Sequence, residues 1–222
     1  MLVGAVMAAL VLATTTGAAR AQDANCAGDV VLDPGHGGTD SGAVNKTYGL
    51  TEKAEALKVA YELKALLVED GYSVCMTRTS NEQTLSNNDR YAYANATTGA
   101  EVLVSVHMNG SSNPATDYTT TLFGKWQKDK AFAQTVFKSL SMLPAASGTG
   151  TIATKAPYSF ASGVLLKSEM SATIAETVFI TSDKEAEWLK NGRTMTDGTV
   201  ASRQHQIAQK LEAGIQSYLA TV

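Results

Sequence analysis

Val30-Val31-Leu32-Asp33-Pro34-Gly35-His36-Gly37-Gly38 reads as a short buried strand that runs straight into a loop. Val30 to Leu32 is apolar and β-branched, and the proline and glycines that follow end the strand and turn the chain. Val102-Leu103-Val104-Ser105-Val106 is a second strand of the same kind, with His107 at its carboxyl end before the polar Asn109-Gly110-Ser111-Ser112-Asn113. Both histidines therefore stand where open α/β sheets bind ligands, in the crevice outside the carboxyl ends of the strands. A histidine taken alone is more often structural than a ligand, so the pair matters more than either member. Between them Gly49-Leu50-Thr51-Glu52-Lys53 opens the segment 52–69, where Ala56, Leu57, Ala60, Leu63, Leu66 and Leu67 recur at helical spacing. Glu52 has two readings, a first-turn charge favoured by the helix dipole or the third member of a ligand set. Two imidazoles and one carboxylate are the set that holds a hydrolytic zinc while leaving a fourth position open for water.

Further signals alternate along the chain: a strand over 72–76, a helix over 85–97, a strand over 118–123, a helix over 128–140, a strand over 173–180 and a helix running to about Tyr218. This pattern predicts one α/β domain with a mostly parallel or mixed sheet of about six strands, helices on both faces and the zinc site at the carboxyl ends of the strands. The segment 144–163, with little periodicity, is expected to loop near the site. In Thr173-Ile174-Ala175-Glu176-Thr177-Val178-Phe179-Ile180 a lone acid sits in an apolar strand, where a carboxylate is costly unless paired or bound. Glu176 is therefore a site candidate.

These blocks, in this order, resemble the zinc-dependent N-acetylmuramoyl-L-alanine amidases that cut bacterial peptidoglycan. The resemblance runs from about Val30 to the C-terminus and is carried by Val31 to Gly38, Gly49 to Lys53, Thr77-Arg78, Asp89-Arg90 with Ala94-Asn95, Leu103 to Asn109, and Ala175 to Ser182 with Glu185-Ala186. It implies that His36, Glu52 and His107 ligate zinc and that Glu176 is the catalytic base. It implies hydrolysis of the amide between the lactyl carbonyl of N-acetylmuramic acid and the L-alanine of the stem peptide. Zinc lowers the pKa of its water from 15.7 to about 7 and polarises the carbonyl, and a base that passes the water's proton to the leaving amine contributes roughly 10²–10⁴-fold. Several positions depart from the family pattern: Val178 and Ser182 stand where glycine and asparagine are usual, and Thr149 and Lys167 where arginine is common. Arginine's planar fork has no equivalent in a point charge, so these differences bear on substrate fit and leave the ligand set intact.

Other polar residues have milder expectations. Asn109 either bonds substrate or caps its loop, Arg78 and Arg90 are expected to hold the fold by salt bridges, and His205 is expected on the surface of the last helix. Asp33 and Asp40 flank His36, and either is a possible acceptor for the far nitrogen of a metal-bound imidazole.

Residues 1–21 carry the apolar run Leu2 to Leu12 and end in Ala19-Arg20-Ala21, a small-x-small cleavage pattern without a basic leading region. They are read as a signal peptide, residues 22–28 as a short linker and 29–222 as the catalytic domain. The alternative, a membrane anchor, meets a run that breaks at Thr14 to Gly17, short of the roughly 20 residues a span needs. The expected location is exported: periplasm, cell wall or extracellular. Export suits the two cysteines, Cys26 and Cys75, which form either a disulfide or two buried thiols. Removal of residues 1–21 takes away Arg20 alone among the charges and leaves −4 against −3 for the whole chain. A mildly acidic chain with no basic cluster argues against nucleic acid and anionic membranes as partners. The partner expected is peptidoglycan, the chain acting as a monomer without autoinhibition, any activator protein being unknown. Two other functions stay open at this point: a zinc peptidase acting within the stem peptide, and a non-catalytic wall-binding or regulatory module.

Overall fold

The computed structural model describes residues 26–195 and 198–222. The expected signal peptide and the start of the linker lie outside the described residues. In chain order the elements are β1 (Val30–Pro34), β2 (Val44–Asn45), β3 (Leu50–Thr51), α1 (Glu52–Glu69), β4 (Val74–Met76), α2 (Asn87–Ala96), β5 (Val102–Asn109) and β6 (Thr120–Phe123). There follow α3 (Gln127–Leu140), β7 (Tyr158–Ser159), α4 (Gly163–Lys167), β8 (Ser171–Phe179), α5 (Asp183–Asn191), β9 (Arg193–Thr194), β10 (Val200–Ala201) and α6 (Arg203–Leu219). Six strands form the main sheet in the order β4-β1-β5-β8-β6-β7, with every neighbouring pair parallel except β6 against β8. The sheet is thus mixed, as the alternating pattern allows, and its six strands match the expected number.

Strand side chains alternate between the two faces, and here the faces differ in what they meet. Val30 and Leu32 of β1, Val102, Val104 and Val106 of β5, and Ala175 of β8 belong to a large core with Leu63 of α1, Phe132 of α3 and Ile207, Leu211 and Ile215 of α6. The intervening residues Val31, Leu103, Ala172 and Ile174 form a smaller cluster with Ala94 of α2 and Val164 and Leu165 of the five-residue α4. Toward the carboxyl ends these same rows turn polar, at Asp33, Ser105, His107 and Glu176. The thin cover there leaves a cleft of about 420 Å³.

Local chemistry fixes the ends that matter. Ser86 and Asp89 form a reciprocal capping box that starts α2. Cys26 and Cys75 form a disulfide with Cα atoms 6.1 Å apart, so the two-thiol alternative falls. Together with the backbone bridge between Ala27 and Thr98, this pins residues 26–28 to the edge of the sheet. No helix among the described residues is long and apolar enough to cross a membrane.

Candidate metal centre

His36 follows β1, His107 sits near the end of β5 and Glu52 opens α1, so three separate elements deliver the three groups to one point. One ligand atom from each lies within 4.8 Å of the others. Both rings turn a nitrogen to the same carboxylate oxygen, His36 Nε2 at 3.0 Å and His107 Nδ1 at 2.9 Å from Glu52 Oε1. The ring planes meet at 74° with centroids 4.9 Å apart, so the two nitrogens converge without stacking.

Backbone geometry makes room for this convergence. His36 itself takes φ +59, a left-handed conformation that a bulky residue rarely adopts without a surrounding structure to impose it. A side chain at Gly35 would collide with the ring of His107, and one at Gly42 (φ +61) would press on Glu52 Oε2 at 2.5 Å and on His36. The pocket is therefore shaped around two imidazoles and a carboxylate by residues that have no side chain.

Two of the three groups are oriented by residues outside the cluster, His36 and Glu52. Asp40 Oδ2 lies 2.8 Å from His36 Nδ1, and its other oxygen accepts the Gly42 N–H at 3.0 Å. Of the two flanking aspartates, Asp40 is the one against the imidazole. The N–H groups of Ala43 and Met108 donate to the two oxygens of Glu52 at 2.8 and 3.1 Å. Burial pushes the Glu52 carboxyl up, but the hydrogen bonds and charge of His107 and His36 prevail and bring it down to about 2. Burial pulls His36 down, while Glu52 and Asp40 outweigh it and leave the group above its ordinary value.

Asp33 has a different task. Its buried carboxylate accepts Thr77 Oγ1, Arg90 Nη1 and Ser105 Oγ, each at 2.6 Å. Arg90 continues to the carbonyls of Pro34 at 2.8 Å and His36 at 2.7 Å. The expectation of a salt bridge holds for Arg90 and requires correction for Arg78, which bonds the carbonyls of Pro34, Gly35, Lys53 and Ser80 instead. Burial and the nearby Arg90 charge bring the Arg78 guanidinium down to about 10. Together the two arginines tie down the loop that carries His36.

Glu176 stands beside the cluster. In the parallel register it is paired with His107 on one side, and Thr120 of β6 lies opposite on the other. Among the described residues its carboxylate has no hydrogen-bond partner, and burial raises its pKa, the charge of Glu52 adding to the rise and the two histidines opposing it. Asn109 Oδ1 accepts the Gly110 N–H at 3.1 Å, the loop-capping alternative. His205 is half exposed on α6, with Nδ1 3.0 Å from Glu62. Sequence reasoning missed the other wall of the cleft, where Leu122, Tyr158, Phe160 and Ile174 face the histidines. The aromatics fall within 144–163, and only the expectation that this segment loops near the site pointed to them.

A family model described as N-acetylmuramoyl-L-alanine amidase matches residues 30–217. The chain belongs to this family. Among solved structures, the N-acetylmuramoyl-L-alanine amidase of Clostridium difficile 630 is 29% identical with a TM-score of 0.73, over 88% of this chain and 98% of that one. The catalytic domain of CwlV from Bacillus (Paenibacillus) polymyxa is 28% identical with a TM-score of 0.70, over 87% and 98%. The probable cell wall amidase LytH of Staphylococcus saprophyticus is 30% identical over 194 residues, 86% of this chain. The sporulation-specific N-acetylmuramoyl-L-alanine amidase of Bacillus subtilis is 31% identical over 176 residues, 72% of this chain. The chain spans 58% and 60% of the length of these two curated relatives, so it corresponds to part of each. The amidase-family match covers every residue of the cluster and Glu176.

Proposed function

We propose that this chain is an exported zinc-dependent N-acetylmuramoyl-L-alanine amidase that hydrolyses the bond between N-acetylmuramic acid and L-alanine in peptidoglycan. The observation that carries the reading is the convergence of His36, Glu52 and His107 at the edge of a cleft whose next strand presents an unpartnered Glu176. The donor set fits zinc: two imidazole nitrogens and one carboxylate oxygen suit it over magnesium, and His36 and Glu52 are already oriented by neighbours. Bound there, zinc would supply a water of lowered pKa and polarise the scissile carbonyl.

This chain's own residues do the rest. Asp40 holds His36 so that Nε2 faces the cluster, while the Ala43 and Met108 N–H groups fix Glu52. Glu176 takes the proton of the attacking water at its carboxylate and delivers it to the nitrogen of the departing L-alanine. A carboxyl raised above its ordinary value by burial suits a group that must hold this proton between the two transfers. Residues 29–222 then form the catalytic domain, supported by the family match from residue 30. Residues 1–21 act as the signal peptide, and the named cell-wall relatives support an extracytoplasmic location.

The test is digestion of purified peptidoglycan by the zinc-loaded chain and by Glu176→Ala, with released fragments identified by mass. Stem peptides beginning with L-alanine from the wild type, and none from a variant that still binds zinc, are the expected result. Fragments cut within the stem would make the chain a peptidase, and no release from either would remove the enzymatic reading.

A further inference from the structure

Next to Tyr158, which lines the cleft, stands a cation that the mechanism does not use. Lys155 Nζ lies 4.7 Å from the ring centre of Tyr158 and 5.7 Å from that of Tyr118. Tyr118 is itself set edge-on against Phe179 at 4.6 Å. A lysine normally swings on a flexible stem, but two ring faces on one ammonium hold it in place. Three of the buried or partly buried cations are neutralised within the fold: Arg90 by Asp33, Lys128 by Asp129 and Arg203 by Glu185. Among the described residues Lys155 has no ion pair. It is a positioned charge still open to an anion.

Its place relative to the chemistry follows from the sheet. The Lys155 N–H donates to the Thr119 carbonyl at 3.0 Å, and Thr119 Oγ1 donates to the Glu176 carbonyl at 3.3 Å. Two strand spacings, roughly 10 Å, therefore separate the Lys155 backbone from that of Glu176. About three extended residues cover that distance at ~3.3 Å each. Tyr158, 38% exposed, and Phe160, 50% exposed, line the same side of the cleft and give a peptide an apolar surface to lie on. An exposed aromatic pair beside a polar cleft is more informative than scattered surface apolar residues.

We propose that Lys155, braced between Tyr118 and Tyr158, binds a carboxylate of the stem peptide a few residues beyond the scissile amide, and so gives the enzyme a preference for acidic peptides. This inference rests on the amidase reading above, in which the leaving group is a peptide. It names where that peptide runs, toward β7, and which group on it is recognised.

Two synthetic N-acetylmuramoyl peptides test it, identical except that one carries free side-chain and terminal carboxylates and the other carboxamides. The wild type is expected to show a KM about fivefold lower for the acid, the size that an exposed charge pair supports. Lys155→Met is expected to raise KM for the acid by the same factor, with kcat little changed and no effect on the carboxamide, whereas Lys155→Arg keeps the preference. Equal KM values in the wild type, or equal losses on both substrates in Lys155→Met, overturn the proposal while leaving the amidase reading intact. If the wild type cleaves neither substrate, the amidase reading fails. Calorimetry with the free acidic and amidated peptides then judges Lys155 alone: tighter binding of the acid that Lys155→Met abolishes upholds the subsite, and equal or absent binding overturns it.

Discussion

The two faces of the sheet are built from the same strands and serve opposite purposes. On one, the rows of β1 and β5 stay apolar, Val30 and Leu32, then Val102, Val104, Val106 and Met108, and α1, α3 and α6 pack over them. On the other, the rows begin apolar at Val31 and Leu103 and finish at Asp33, Ser105 and His107, with only α2 and the short α4 above them. Stability can be concentrated on the first face, where most of what is buried is apolar and the polar exceptions are bonded to the covering helices, Thr121 to the Ala133 carbonyl of α3 and Ser171 to Tyr218 of α6. The second face can then hold buried charge, a left-handed histidine and an open cleft, all of which cost stability. A shift of one residue in strand register would exchange the two faces, since side chains alternate with a period of two.

The sharpest way to break this division is to exchange the expected symptoms. Glu176→Gln should lower kcat about 10²–10⁴-fold, as loss of a general base does, with the melting temperature unmoved. A variant that unfolded instead would show that Glu176 holds the sheet together. On the covered face, Phe132→Ala should cost about 3–5 kcal/mol in urea unfolding while the activity per folded molecule stays the same. Loss of activity in the folded fraction would mean that the two faces are coupled. Replacing Cys26 and Cys75 together by serine should cost about 2–4 kcal/mol, measured by the same unfolding curves, because the pair ties the N-terminal segment to the edge strand β4.

A smaller effect comes from pH. His36 must be neutral to give Nε2 to a metal, and its pKa lies above its ordinary value because Glu52 and Asp40 outweigh burial. Zinc affinity should therefore weaken by up to about tenfold per unit as pH falls below that raised value, read by competition with a chelating dye. With chelator present and no zinc, the sign reverses for stability. The raised pKa adds stability that is fully present below about 6.5 and is lost as pH rises through the folded value. A melting temperature in chelator that rose with pH across this window would contradict the His36–Glu52 and His36–Asp40 contacts.

Much of the covered face was legible in the chain. The apolar spacing from Ala56 to Leu67 predicts a helix over 52–69, the bounds that α1 has, and the β-branched runs at Val30 and Val102 mark two of the three central strands. The four candidate site residues, His36, Glu52, His107 and Glu176, were also legible, through strand-end position and ordered motifs. Less visible were β2 and β3, β7, α4 and α5, which are short or lack a clean period. Arg78 and Arg90 looked alike, yet one bonds carbonyls and the other a carboxylate. Asp33 and Asp40 looked alike, yet only Asp40 meets the imidazole. Such choices depend on which groups arrive from distant elements, and no local pattern encodes them.

The sequence by itself determined the fold class and the residue types that could hold a metal, because periodicity and chain-breaking residues act over a few neighbours. Only the tertiary structure decided that three ligand atoms meet within 4.8 Å, that Cys26 reaches Cys75, and that Lys155 lies over the ring of Tyr118. Each of these joins segments tens of residues apart, and their separation in space is set by how the sheet and its two unequal layers pack.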